Sequence, residues 1–570
     1  MVHSGPLPSS LAGVFVALWV GLSACGGEGG SGPVLPICEG DIEVPDAELR
    51  ALLLAILADP EASEDTDTSS EGSGTGGEAS LSAEALASIT GLQAAGRDIV
   101  DLRGLECARS LVSLGLANNK ITSLAPLATL TELREIELSG NPLEALDALA
   151  ELTALEKLVL AGTGVGQLNF LRRLTNLRHL DLTANKIRDL KSLAGLTSLE
   201  SLVLSDNEIA DVTPLSGLGA LFALELDDNQ LADLAPLAGL TALEYLDLDN
   251  NKIASLEPLA GLDRLRDLEA SNNLLSDTAG LAAKPDLVEL ALEGNQLAKL
   301  GNLAGLTGVT TLDLDLNQLT SLDGLENLVS LRTLAARGNR LTDLGALAKL
   351  GDVRYLDLRD NPKLLSLAPL AGLGRLDYLA AGGHQLAQDL KPLSGLPLLR
   401  GLDLSETGTA DYSPLTSLPA LRNLILRGAK LDTVDIDTLG KLDLASLDIS
   451  DTAVADIAAL APLVDLVTFD CRNTEVASLA PTLAWTGVEK LLFAGTKVAD
   501  ITGVDTLKRL AELDLAETKV DDLAAIVAND YFRGSDRVDV SGTPVDLGDC
   551  PAILALRGRD AVVVTDVACK

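Results

Sequence analysis

The chain has 570 residues, enough for three or four ordinary domains, and 47% of them are hydrophobic while only 2% are aromatic. Such a core is filled by Leu, Ile, Val and Ala in similar layers rather than by a few large rings, and so few rings count against a carbohydrate platform. The net charge of −40, with a pI near 4.3, excludes nucleic acid, anionic lipid headgroups and acidic polymers as attractive partners and leaves cations and basic protein surfaces.

The first predicted element is an apolar run, Leu11 to Leu22, too short to span a membrane and as long as a signal-peptide core. It ends in Leu22-Ser23-Ala24-Cys25 and passes into Gly26-Gly27-Glu28-Gly29-Gly30-Ser31-Gly32. These residues resemble the lipobox of bacterial lipoproteins, although Met1 to Ser10 contains no Lys or Arg. The resemblance implies removal of residues 1–24, lipid attachment at Cys25 and a flexible tether over 25–37. It further implies anchoring in the bacterial cell envelope, and Gly26 after the Cys fits the outer membrane, on either its periplasmic or its outer side. More than one acyl chain gives stable anchoring, at about 0.8 kcal/mol per buried CH₂. The alternative is an ordinary secretory signal with an incidental Cys.

A cap is expected over 38–90. Val44-Pro45-Asp46 opens a helix whose Leu49, Leu52, Leu53 and Ile56 share one face. Residues 61–80 are Ser, Thr, Gly and acid, which predicts a disordered loop. A second short helix follows near Ser82 to Ile89. A cap is physically required, because a first repeat would otherwise expose its apolar side and a strand edge.

From 91 to 548 the chain repeats. The octet Leu246-Asp247-Leu248-Asp249-Asn250-Asn251-Lys252-Ile253 recurs every 22 residues, for example as Leu180 to Ile187 and Leu312 to Leu319. Its Asn falls at Asn119, Asn141, Asn185, Asn207, Asn229, Asn251, Asn273, Asn295, Asn317, Asn339 and Asn361, with Thr163 as the one interruption. A period in this range with L-x-x-L-x-L-x-x-N-x-L is the leucine-rich-repeat signature. Each unit should be one short strand, an Asn turn and a tight helical return, and Pro126, Pro214, Pro236 and Pro258 share one phase that fits the first turn of such a return. The stacked Asn side chains should form a buried ladder bonding backbone groups left over by the turns. After Asn361 the position is held by His384, Thr407, Ala429, Thr452, Thr474, Thr496, Thr518 and Thr543, at looser spacing. Thr can make part of the same bonding, so one continuous solenoid of about 21 repeats is expected, with a change of curvature near 361–384. At about 4.8 Å per strand its concave wall would run roughly 100 Å. The fold class is thus an α/β solenoid: a curved arc with a parallel concave sheet and short 3₁₀ or helical convex returns.

The helical cap, the loop and the degenerate first unit Leu92-Gln93-Ala94-Ala95-Gly96-Arg97-Asp98-Ile99 closely resemble the N-terminal cap of internalin-like bacterial proteins. The closing segment 549–570 also resembles that of secreted bacterial leucine-rich-repeat proteins. The resemblance spans roughly 42–570 and implies a non-catalytic binding scaffold that uses its concave face. Cys550 and Cys569 lie in one small capping unit and are expected to pair, while Cys38 and Cys107 flank the N-terminal cap and are candidates for a second bridge. Cys471 occupies an inward strand position and reads as a buried apolar residue.

Chemistry is sparse. Of three histidines, His3 precedes Cys25, and His179 and His384 stand far apart; His179 shares a strand face with Asp181, which reads as a solvated pair. There is no C-x-x-C, H-E-x-x-H or EF-hand spacing, so neither catalysis nor a dedicated metal site is expected. Phasing the repeats places the concave positions six, four, two and one residues before the Asn and one after. Five consecutive repeats then carry Glu225, Asp227, Asp228, Asp247, Asp249, Asp267, Glu269, Glu289, Glu293, Asp313 and Asp315, with Tyr245 among them. Like charges on neighbouring strands are destabilising, so a basic partner or weakly bound Ca²⁺ should compensate unless water and counterions suffice. Arg337, Arg340 and Arg359, with Tyr355 and Tyr378, follow, and the groove should change sign near 317–337.

These features point to a lipid-anchored recognition module for a protein with a basic or mixed-charge surface. A rigid envelope spacer without a specific ligand remains open, as does, more remotely, regulation of an enzyme; oligomeric state is not legible.

Overall fold

The computed structural model describes residues 38–58, 81–301, 303, 305–383, 389–409 and 411–569. Cys25, the segments 1–24 and 25–37, the acidic loop 61–80 and His384 lie outside the described residues. Within them the fold is a single parallel sheet of 22 strands, each three residues long and each paired with its neighbours in sequence, the first and last on one side only. The strand count exceeds 21 because Val562–Val564 in the closing segment adds a last strand beside Arg537–Asp539.

The repeat dictates this geometry. In Tyr245–Asp247 the central Leu246 points into the core, and the two flanking residues face the other way. The residue before the Asn holds a left-handed backbone, φ 54° at Asn250 and 52° at Asp228, or is a glycine, as at Gly294. Asn251 is then buried. Its Nδ2 donates to Leu248 O and Asp249 O in its own repeat and to Leu226 O of the repeat before, at 2.9–3.1 Å, while Oδ1 accepts from Leu231 N at 2.8 Å. The two bonds to Leu226 and Leu231 staple one repeat to the next.

The threonines keep only part of this. Thr407, Thr452, Thr474, Thr496 and Thr518 donate to the carbonyl three residues earlier at 2.6–2.7 Å, and none is bonded to the preceding repeat as Asn251 is. The sheet nevertheless continues in register through this half.

The returns are mostly 3₁₀ turns, such as Ala235–Gly239 and Glu257–Gly261, with the phased prolines in their first turn. In two of the longer repeats the return is a true α-helix, whereas Ala368–Gly372 and Lys391–Gly395, also in longer repeats, stay 3₁₀. The two helical returns are Thr433–Leu439, closed by a capping box between Asp432 and Asp435, and Ala524–Val527.

Both ends are closed. The helix Ala47–Ala58 packs Leu49, Leu53 and Ile56 on the first repeats, and Leu52 is only partly buried. Asp46 caps this helix through Oδ1, which accepts from Leu49 N at 3.0 Å, and ties it to the first repeat through Oδ2, which accepts from Val100 N at 2.8 Å. Disulfides join Cys38 to Cys107 and Cys550 to Cys569. Cys471 is buried with its thiol reduced. No helix among the described residues is long and apolar enough to cross a membrane.

Two core features depart from the sequence reading. Large rings do enter the core: Phe469 packs edge-on against Trp485 and Phe493, and Trp485 Nε1 donates to Leu460 O at 3.2 Å. Lys284 occupies the register position that is leucine in every neighbouring repeat, for example Leu240, Leu262, Leu306 and Leu328. It is 0% exposed, with Nζ donating to Ala260 O at 2.9 Å.

Candidate functional site

Strand pairing sets the concave wall. Glu225, Asp247 and Glu269 stand in one row, each directly beside the next. Tyr245, Asp267 and Glu289 form a second row two residues earlier along the strands. Asp227 and Asp249 lie just beyond the strands. Carboxylate oxygens of Asp247, Asp249 and Glu269 all come within 4.8 Å of one another.

The backbone partly holds these acids in place. Asp247 Oδ1 accepts from Asp249 N at 2.9 Å, Asp249 Oδ1 from Ser271 N at 2.5 Å, and Tyr245 OH donates to Glu269 Oε1 at 3.4 Å. Ser205 Oγ donates to Asp227. Farther along, Asp313 Oδ1 accepts from Asp315 N at 2.9 Å and Asp315 Oδ1 from Arg337 N at 2.6 Å.

Burial outweighs these bonds. It is the main cause pushing Asp247 up to about 8 and Asp249, Glu225 and Asp267 up to about 7, with neighbouring carboxylates adding to it. Asp315 is raised to about 8 and Asp313 to about 6 by the same burial, and Asp227 and Glu269 also move upward. Burial and the surrounding acids likewise raise Tyr245. Ion pairs stand on both sides of this stretch, Arg188 with Glu208 and Arg337 with Asp360. Among the described residues no basic side chain forms an ion pair with any of these acids. The wall is therefore an uncompensated row of half-buried carboxylates. All its donors are oxygens, which suits a hard cation or the guanidinium and ammonium groups of a partner.

The family model "Leucine Rich repeats (2 copies)" matches residues 109–151, 175–220, 220–261 and 241–283. The chain is built of leucine-rich repeats. A leucine-rich-repeat protein of Leptospira interrogans is similar in structure, with 21% identity and a TM-score of 0.57, covering 71% of this chain and 96% of its own. The functional domain of InlJ from Listeria monocytogenes has 21% identity and a TM-score of 0.52 over 72% of this chain and 81% of its own. A plant peptide hormone receptor, RGFR1 in complex with RGF2, has 17% identity and a TM-score of 0.51, with coverages of 84% and 90%. At these identities the likeness is one of fold. No curated protein sequence matches the chain.

Not every residue phased onto the leucine-rich-repeat face belongs to the wall. Asp228 sits at the left-handed turn position and is exposed, and Arg340 is exposed beyond the Asn turn. Glu289 lies on a strand but is exposed, and Glu293 is half-buried. Asp313 is flanked by Ala291 and Ala335 rather than by acids.

The expected change of sign does not occur. Arg359 is clamped on Asp357, with Nη2 at 2.5 Å, and lies 3.8 Å from Asp403; Arg337 Nε is bonded to Asp360 Oδ2 at 2.7 Å. Arg337 and Arg359 are thus neutralised within the protein. Phasing tracked the basic residues without the acids in the adjacent registers, although Asp357 and Asp403 occupy the same strand position as Asp247. Tyr355 and Tyr378 are register neighbours and stack, with centroids 5.1 Å apart and planes 6° from parallel. The same phasing would have found this pair. His179 is half-buried rather than solvated, with its pKa lowered by that burial, and Asp181 Oδ1 accepts from Thr183. That arrangement is not a nucleophile-activating pair.

Proposed function

We propose that this protein is a non-catalytic recognition scaffold, lipid-anchored at Cys25 in the bacterial cell envelope, that binds a protein partner with a basic surface through its concave face. Solenoids of this kind present extended concave surfaces suited to partners. The observation that carries the reading is the row Glu225, Asp247 and Glu269, where carboxylates raised by burial stand side by side without a basic side chain to neutralise them. Holding such a row costs stability, and a partner's cations recover that cost on binding. Elsewhere the same face neutralises itself, as at Asp357, Arg359 and Asp403, which marks the row as different.

A required cofactor is not part of this reading. Calcium would act at Asp247, Asp249 and Glu269 as a weak screening ion, and the thermal midpoint should move by no more than a few degrees between EDTA and millimolar Ca²⁺.

The test is co-purification of the full chain from envelope extracts. The combined variant Asp247→Asn/Asp249→Asn/Glu269→Gln should lose the specific partner while its melting midpoint holds or rises. Retention of the same partner at the same yield would refute the concave-face reading. Absence of any specific partner at low and high salt would instead favour a rigid spacer.

A further inference from the structure

The buried ladder gives way at three strands, Tyr355–Asp357, Tyr378–Ala380 and Gly401–Asp403. Asn361 still staples its repeat backward. Its Oδ1 accepts from Leu341 N at 3.0 Å and its Nδ2 donates to Ala336 O at 2.9 Å. Thr407, the next described residue at that position, donates only to Leu404 O in its own repeat, and Ala429 after it has no polar side-chain atom. Farther on, Trp485 Nε1 donates to Leu460 O and Asn529 Nδ2 to Val504 O, which ties repeats together again.

The concave side of the same three strands is braced twice. Asp357, Ala380 and Asp403 are register neighbours in one row, so the two carboxylates stand two strand spacings, about 9.6 Å, apart. Arg359 spans the gap. Its Nε donates to Asp357 at 3.0 Å and its Nη2 at 2.5 Å, while Nη1 lies 3.8 Å from Asp403 Oδ2. Ala380, in the middle of the row, is 0% exposed, as a small residue beneath a guanidinium would be. In the other row Tyr355 and Tyr378 stack with centroids 5.1 Å apart. Tyr378 in turn lies on Gly401, where a Cβ would come within 2.4 Å of a ring carbon. A later row shows what the small middle residue allows. Arg472 pairs with Asp470 as Arg359 does with Asp357, and Asp514 again stands two strands on. There the middle residue is Leu492, and among the described residues Arg472 forms no ion pair with Asp514.

We propose that these three strands are a braced joint between two stiffer runs of repeats, and that the Arg359 strut and the tyrosine stack fix the angle at which the runs meet. The strut is accessible: the Arg359 side chain is 28% exposed over carboxylates that are 4% and 7% exposed. It can therefore be released without opening the leucine core. A partner lying along the concave face meets one fixed curvature while the strut holds and a variable one when it is released. The joint does not depend on which partner that is.

The test is hydrogen–deuterium exchange mass spectrometry of the full chain, read in peptides covering 378–383 and 399–405. These contain the amides that join the two strands, Arg400 N and Gly401 N on Asp377 O and Ala381 N on Asp403 O. Arg359→Gln should speed their exchange at least fivefold and leave peptides around 245–251 within twofold. Ala380→Leu, which keeps every charge but fills the path of the strut, should do the same. Arg472→Gln should leave both joint peptides unchanged. The double variant Arg359→Gln/Tyr378→Ala should in addition broaden the pair-distance distribution in small-angle X-ray scattering. Near-UV circular dichroism of each variant confirms that the fold is kept. Unchanged exchange at the joint in Arg359→Gln, or equal acceleration along the whole chain, overturns the proposal. An Ala380→Leu variant that folds and exchanges like wild type overturns the strut, and scattering from the double variant that superimposes on wild type overturns the joint.

Discussion

At the residue scale the most informative contrast is between asparagine and threonine at the same turn. Asn251 bonds to Leu226 and Leu231 in the preceding repeat, whereas Thr474 bonds only to Cys471 in its own. Asn251→Thr should therefore leave the Leu231 N–H without a partner, while the Leu226 C=O keeps the bond it accepts from Asn229 Nδ2. At about 1–3 kcal/mol for a buried unsatisfied group, the loss should be of that size in chemical denaturation. A loss below about 0.5 kcal/mol would mean that backbone relaxation repairs the staple. Lys284 makes the opposite case. Its ammonium sits where the period demands leucine, with Ala260 O as its bonded partner, and burial lowers its pKa. Lys284→Leu should raise the melting midpoint, and an unchanged or lower midpoint would contradict this account. The residue was visible as a break in register, because Leu240, Leu262, Leu306 and Leu328 mark its phase. Its burial was not visible, since a long lysine stem can reach solvent from many inward positions.

At the element scale the ends decide whether the array is closed. Asp46 joins a helix cap to the first repeat through one carboxylate. Desolvation raises its pKa, but four backbone N–H donors outweigh that and hold it below the usual carboxylate range. Asp46→Ala should cost about 1–2 kcal/mol, the range of a lost N-cap. The loss should appear first as faster amide exchange in Ala47–Ala58, and uniform exchange across the chain would argue against a local cap. Strand, turn and return were all legible before any coordinates, because a 22-residue period leaves each position one environment. The phased Pro236 and Pro258 sit in the first turns of their 3₁₀ segments as their missing N–H allows. Less legible was what the longer repeats do with extra residues. Asp432 and Asp435 form a capping box that was present in the sequence, but periodicity alone does not distinguish an α-helical return from a 3₁₀ one.

At the scale of the whole molecule the acidic face couples protonation to stability. Asp247 and Asp315 are raised to about 8, and Asp249, Glu225 and Asp267 to about 7, against about 4 for unfolded carboxyls. The folded state therefore binds more protons than the unfolded state between about pH 4 and pH 8. Stability from these groups is present at low pH and is lost as pH rises through that window. The melting midpoint should fall from pH 5.5 to pH 8.5, and Asp247→Asn combined with Asp315→Asn should flatten the decline. A midpoint that rises over this range would contradict the burial of these groups. Binding of a basic partner should follow the opposite trend and strengthen as the carboxylates ionise.

The register pairs of this face, Glu225 with Asp247 and Asp247 with Glu269, were legible from phasing alone. The neutralisation of Arg359 by Asp357 and Asp403 was not, because it depends on side chains reaching within and across strands.

The most direct measurement is site-specific photocross-linking in intact cells. A photoreactive residue at Ala291, on the concave strand Glu289–Ala291, is compared with one at Ala238, in the convex turn Ala235–Gly239. The account predicts a single discrete protein adduct from position 291, lost when Asp247, Asp249 and Glu269 are neutralised, and none from position 238. Equal adducts from both faces, or an adduct at 291 indifferent to those three carboxylates, would contradict it.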